Sequence, residues 1–133
     1  MQTGGQLTPA QKIIAKYMTE AELQNNIIAL ATSLGYLVHA ERPAISRRGK
    51  WSTPIQGDPG YVDLTLARHG RVIFTELKSE NKEVKGEQIN WQYELLGRPG
   101  VFTWKRHPDY YVWHPSQWVS GEIEQELKRV LEE

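Results

Sequence analysis

Apolar and polar positions alternate most clearly in the segment GYVDLTLARHGRVIFTELKS, residues 60–79. Two apolar runs, YVDLTLA and RVIFTEL, flank a short His69-Gly70 turn and predict a hairpin. A two-residue connection sets the register and pairs Arg68 with Arg71, so counting back places Asp63 opposite Glu76. In the second strand Ile73, Thr75 and Leu77 share one face. Val72, Phe74, Glu76 and Lys78 share the other. Both faces begin apolar, as in a strand covered on both sides.

Helical spacing appears upstream. Thr8-Pro9-Ala10-Gln11 offers an N-cap, a proline at the first helical position and Gln at N3, and predicts a short helix to about Met18. Thr19-Glu20-Ala21-Glu22 is a second capping box, opening a helix to Gly35 with its stripe at Leu23, Ile27, Leu30, Ala31 and Leu34. YLVHA (36–40) reads as a strand. Residues 42–60 hold three prolines, three glycines and four basic residues against one acid, a long connection of the sort that is usually functional or disordered. Beyond the hairpin, QINWQYELL is a helix ending at Gly97, with Arg98-Pro99-Gly100 as the break. VFTWK and YYVWH are short strands, and 122–133 a closing helix. Helices before, between and after a few strands predict an α/β or α+β sandwich around one mixed sheet. Residues 1–18 form a tail and short helix, and 19–133 the main domain.

Composition narrows the chemistry. A 133-residue chain that is 39% apolar and 24% charged suits one domain with a real core. Sixteen basic residues cancel sixteen acidic ones, which argues against a purely electrostatic nucleic-acid binder but leaves room for a local basic stripe. No cysteine is present, which excludes disulfides, thiolate catalysis and zinc–thiolate sites. With no apolar run of membrane-spanning length and no signal-peptide pattern, a cytoplasmic protein that does not enter membranes is expected.

Two directly opposed carboxylates repel, so Asp63 and Glu76 call for a positive partner, and a hard divalent cation such as Mg²⁺ suits oxygen ligands. Lys78 lies on the same strand face as Glu76. Glu-x-Lys alone also fits a solvated strand end; the register match with Asp63 is what raises it. On the first long helix, Glu22 is explained by the capping box. Glu20 sits within roughly 40° of the apolar stripe's centre at about 100° per residue, though a first-turn acid at the helix dipole is the blander account. Gln88 opens the next helix and proves nothing alone. Arg47, Arg48 and Lys50, with Trp51 among them, suit a phosphate backbone or a solvated loop equally. His39 reads as a half-buried strand residue. Trp104, Tyr110, Tyr111, Trp113 and Trp118 read mostly as core.

With these residues in place, the chain from about Thr19 to Leu131 resembles the VRR-Nuc (virus-type replication-repair nuclease) family of the PD-(D/E)xK nuclease superfamily. Glu20, Gln24, Gly35 and His39 fall on its helix-then-strand pattern. Asp63, Glu76 and Lys78 fall on its acid–hairpin–Glu-x-Lys core, and Gln88 and Trp91 on its glutamine-bearing helix. VWHPSQW resembles the ending of phage-type members. Where the family has proline before the aspartate, this chain has Val62. The resemblance implies a restriction-endonuclease-like αβββαβ core and a Mg²⁺- or Mn²⁺-dependent phosphodiesterase acting on DNA, including branched forms such as Holliday junctions or flaps. It implies a homodimer, in the host cytoplasm if viral. Asp63, Glu76, Glu20 and the Leu77 carbonyl would hold the ion. Asp63, Glu76, Lys78 and Gln88 would be catalytic. Gln24, His39, Arg47, Arg48 and Lys50 would contact DNA. The alternative is a non-catalytic DNA-binding module on the same scaffold; a structural or partner-binding domain with surface acids is the third reading.

Overall fold

The computed structural model describes residues 6–41, 44–45, 51–52, 56–97 and 109–129. Both early helices begin where their capping boxes place them. Helix α1 (Pro9–Tyr17) is capped by Thr8 with Gln11, and α2 (Glu20–Ser33) by Thr19 with Glu22, each box satisfying two otherwise orphaned backbone N–H groups. Strand β1 (Leu37–Ala40) follows. The segment read as one long connection contains a small antiparallel pair, β2 (Ala44–Ile45) and β3 (Trp51–Ser52); neither strand is long enough to show a period in sequence. Arg47, Arg48 and Lys50 lie outside the described residues.

The hairpin forms as its pattern dictates. Strands β4 (Leu64–Arg68) and β5 (Arg71–Leu77) pair antiparallel with Arg68 opposite Arg71 and Leu64 opposite Thr75. His69 and Gly70 both have positive φ (49° and 82°), the turn type whose twist matches the flanking strands. Helix α3 (Glu87–Leu96) then carries the chain across to β6 (Asp109–Trp113), which lies parallel to β5, a geometry that requires such a crossover. The expected 101–105 strand, with Trp104, and the 98–100 break lie outside the described residues. After β6 comes a helix that sequence reading missed, α4 (Pro115–Val119), before α5 (Glu122–Lys128). Pro115 at its first position and the Gln117 side chain accepting from the His114 N–H at 2.9 Å are helix-start chemistry hidden inside the aromatic ending.

The sheet order is β1-β4-β5-β6, a mixed four-stranded sheet of an α+β domain. Alternation divides its faces. Leu64, Leu66, Ile73, Leu77 and Trp113 pack with Leu23, Ile27 and Ala31 of α2 and Ile123 and Leu127 of α5 to form the core. Phe74 lies on the opposite face, which α3 covers in part. There Tyr61 stands edge-on between Phe74 and Trp91, at centroid distances of 6.5 and 4.9 Å. Among the described residues no helix is long and apolar enough to cross a membrane.

Candidate metal centre

Asp63 follows the fully buried Val62 and directly precedes β4. Its backbone carbonyl accepts from the Glu41 N–H at 3.2 Å, extending the β1–β4 pairing. Its Oδ2 accepts from the Leu77 N–H across the hairpin at 2.8 Å. Continuing the β4–β5 register by one pair sets Asp63 opposite Glu76, and the two carboxyl groups are within hydrogen-bonding reach of each other. Glu76 is completely buried. Gln88, on the first turn of α3, donates from Nε2 to Glu76 Oε2 at 3.0 Å. Lys78 continues β5 on the same face; its N–H donates to the Trp113 carbonyl at 3.0 Å, and its charge favours ionisation of both acids. Glu20 reaches the same end of the sheet from α2, accepting from the Ser79 N–H at 3.3 Å.

The electrostatics follow from this crowding. Burial pushes Glu76 up, and the neighbouring Asp63 charge adds to it, to about 8; Lys78 opposes both. Asp63 is also raised by burial, against which the Leu77 N–H and the bond to Glu76 work. A buried anion is costly unless paired or metal-bound. Here one proton can serve both carboxyls when nothing else neutralises them. Glu76 Oε1 is nonetheless buried with no hydrogen-bond partner of its own. An orphaned carboxylate oxygen beside a second carboxylate fits a hard divalent cation. Among the described residues no group of three or more acids and histidines stands ready to hold a metal. The protein supplies a pair, with Glu20 standing off on Ser79 and acting through its charge.

Other expected residues fall around this centre. Gln24 lies one turn beyond Glu20 on α2 and is half-buried. His39 is exposed, not half-buried as the strand reading had it, because β1 is the sheet's edge and the face it shares with Thr65 is only partly covered. Leu77 presents its N–H to Asp63 while its side chain is buried. Among the aromatics, Trp113 is buried in the core; Tyr110, Tyr111 and Trp118 are half-buried.

Several positioning contacts were not legible. Trp91 Nε1 donates to the Pro59 carbonyl at 3.1 Å and the Tyr61 and Thr65 hydroxyls lie 2.8 Å apart, tying the approach to Asp63 onto α3. His114 Nε2 lies 2.6 Å from the Lys82 carbonyl, and the Ser116 N–H donates to Glu80 at 3.2 Å, so the aromatic ending fixes the loop between Lys78 and Gln88. Gly60, at φ +90°, presses on the first turn of α3, where an added Cβ would stand 2.6 Å from the Glu87 backbone. Gly60→Ala is therefore expected to cost about 2–3 kcal/mol, roughly 10 °C in melting temperature, by forcing the approach to Asp63 away from the first turn of α3. A thermal melt checks it; an unchanged melting temperature would contradict the close contact.

No protein-family model and no curated protein matches the chain. A solved structure described as a "VRR_NUC domain" superposes with a TM-score of 0.52 at 22% identity, covering 80% of this chain and 97% of that one. The likeness shows the fold: a mixed sheet with flanking helices of the restriction-endonuclease-like kind that the sequence resemblance implies.

Proposed function

We propose that the chain is a divalent-cation-dependent deoxyribonuclease of the VRR-Nuc type. One observation carries the reading: the fully buried Glu76 carboxylate on β5 faces the half-buried Asp63 carboxylate just before β4, at a sheet end that also presents Lys78 and is met by Gln88 of α3. The fold shared with a VRR_NUC domain supports it. A structural domain gains nothing from such a pair, since like charges directly opposed destabilise a sheet.

Asp63 and Glu76 would hold the cation, Mg²⁺ or Mn²⁺, with Glu20 joining through water and the Leu77 carbonyl adding an oxygen. Bound there, the cation would supply Lewis acidity toward a phosphodiester and lower the pKa of water. Lys78 orients the attacking water and offsets negative charge as it grows on the phosphate, a preorganised cation on a rigid strand. Gln88 fixes the Glu76 carboxylate through Oε2. The Leu77 N–H does the same for Asp63. Gln24, His39, Arg47, Arg48 and Lys50 contact the DNA, the basic residues through its phosphates. We further propose branched DNA as the preferred substrate and a homodimer as the working form.

The test is incubation of the protein with linear, flapped and four-way DNA in Mg²⁺, Mn²⁺ or EDTA, with light scattering for the subunit number. Cleavage in either metal and none in EDTA is expected. DNA retained in EDTA but never cut in metal would favour the non-catalytic binding module instead.

A further inference from the structure

Among the described residues, two buried side-chain polar atoms have no hydrogen-bond partner: Glu76 Oε1 and the Tyr110 hydroxyl. They are neighbours by topology. Strand β6 runs parallel to β5 with Phe74 opposite Tyr110 and Glu76 opposite Val112. Alternation therefore puts Tyr110 on the face that carries Phe74, Glu76 and Lys78, diagonally beside the glutamate. Both Glu76 and Asp63 act on the phenol through their charges. A buried hydroxyl without a partner costs about 1–3 kcal/mol, so its position calls for a reason. One atom is an acceptor and the other a donor, and each lacks what the other offers.

We propose that Tyr110 is a positioning residue of the metal centre. Its hydroxyl donates, through one ordered water, to the Glu76 carboxylate in its charged, cation-binding form. Gln88 already holds Oε2 from the α3 side; Tyr110 holds the same carboxylate from β6. Such outer partners set the orientation and basicity of a metal ligand. Burial and the two nearby charges push the phenol up to about 12, which keeps it a donor at any working pH. The inference rests on the proposed cation-binding role of Asp63 and Glu76.

The experiment is calorimetric titration of the DNA-free protein with Mn²⁺ at pH 8, wild type against Tyr110→Phe, with melting temperatures of both in EDTA. Loss of an outer-shell donor is expected to weaken Mn²⁺ about 10-fold or more. The melting temperature in EDTA should hold or rise slightly, because the variant removes an unpaired buried hydroxyl and keeps the ring. Wild-type binding with an unchanged affinity in Tyr110→Phe would overturn the role of Tyr110 and leave the metal centre standing. Reduced stability in EDTA with unchanged affinity would mark the hydroxyl as merely structural and overturn the role equally. No Mn²⁺ binding by the wild type would remove the centre itself, and this inference with it.

Discussion

Glu76→Gln is expected to make the metal-free protein more stable at pH 8 while lowering DNA cleavage about 10²–10³-fold, the usual loss when one preorganised electrostatic contact is removed. The stability change has a definite sign. Burial and then the Asp63 charge lift Glu76 from its ordinary value of 4.5 to about 8 in the folded chain. The folded state therefore binds a proton that the unfolded state has released over that interval. This contribution is fully present below about pH 4.5 and is lost as pH rises through 8. Glu76 sits at zero exposure, so on the order of 3 kcal/mol is at stake between those limits, at 1.36 kcal/mol per unit with a discount for water reaching the sheet end. Glutamine never ionises, and its amide can donate to Asp63 where the shared proton stood. The variant's advantage in EDTA should be roughly 10 °C at pH 8 and should shrink toward pH 5. Added Mg²⁺ or Mn²⁺ should reverse the order. A cation held by Asp63 and Glu76, as proposed, would raise the folded wild type's melting temperature by mass action and leave the variant almost unmoved. Thermal melts across pH, with and without metal, decide the matter. Equal stability of the two proteins at pH 8 in EDTA would mean that Glu76 carries no buried charge problem for a cation to solve.

Much of this centre was legible because local rules agree there. The His69-Gly70 turn fixes the hairpin register, and the register alone brings Asp63 to Glu76. Capping boxes at Thr8 and Thr19 fix the helix starts, and with them the place of Glu20. From its own residues Gln88 was visible only as a helix start, and the family resemblance gave it a catalytic place without naming Glu76 as its partner. Its bond to Glu76 depends on α3 folding back over one sheet face, a tertiary fact with no sequence period. Tyr110 was read as core because aromatic residues in strands are mostly that. The signal that sets it apart is parallel register with β5, and parallel partners are chosen by a crossover whose path alternation cannot predict. Helix α4 was not legible because its five residues are too few to show a helical period, which left the Pro115 and Gln117 start signal without an apolar stripe to support it. His39 was misjudged because strand periodicity does not reveal which strand ends at an edge.

The same hairpin poses a second electrostatic problem at its other end, and its solution carries the largest expected effect on stability. Register sets Arg68 directly opposite Arg71, a repulsive pair. The fold separates their charges. Arg68 lays its guanidinium 4.5 Å from the Tyr36 ring centre and donates to the Leu34 and Leu127 carbonyls. Arg71 is nearly buried. It pairs with Asp109 of β6 and Glu126 of α5 at 2.6 Å each and donates to the Glu126 carbonyl, while the Tyr111 hydroxyl also donates to Glu126. Burial would lower the arginine's pKa, but these two carboxylates outweigh it and raise it. Both arginines thus complete the open carbonyl end of α5, where cations are favoured. Arg71→Met keeps the volume but leaves Asp109 and Glu126, each a quarter exposed, to the half-exposed Arg129 as their remaining cationic partner among the described residues, and should cost about 3–4 kcal/mol, on the order of 15 °C in melting temperature. Adding Asp109→Asn and Glu126→Gln should recover most of that, since it is the uncompensated charge that costs and not the absence of the pair itself. Glu76 lies about 16 Å along β5 from Arg71 at ~3.3 Å per residue, so Mn²⁺ affinity measured well below the melting temperature should be unchanged in all three-site and single variants. A loss under 1 kcal/mol in Arg71→Met would show that β6 and α5 are held by their apolar contacts alone, and a triple variant no more stable than the single one would show that uncompensated charge is not what the single variant costs.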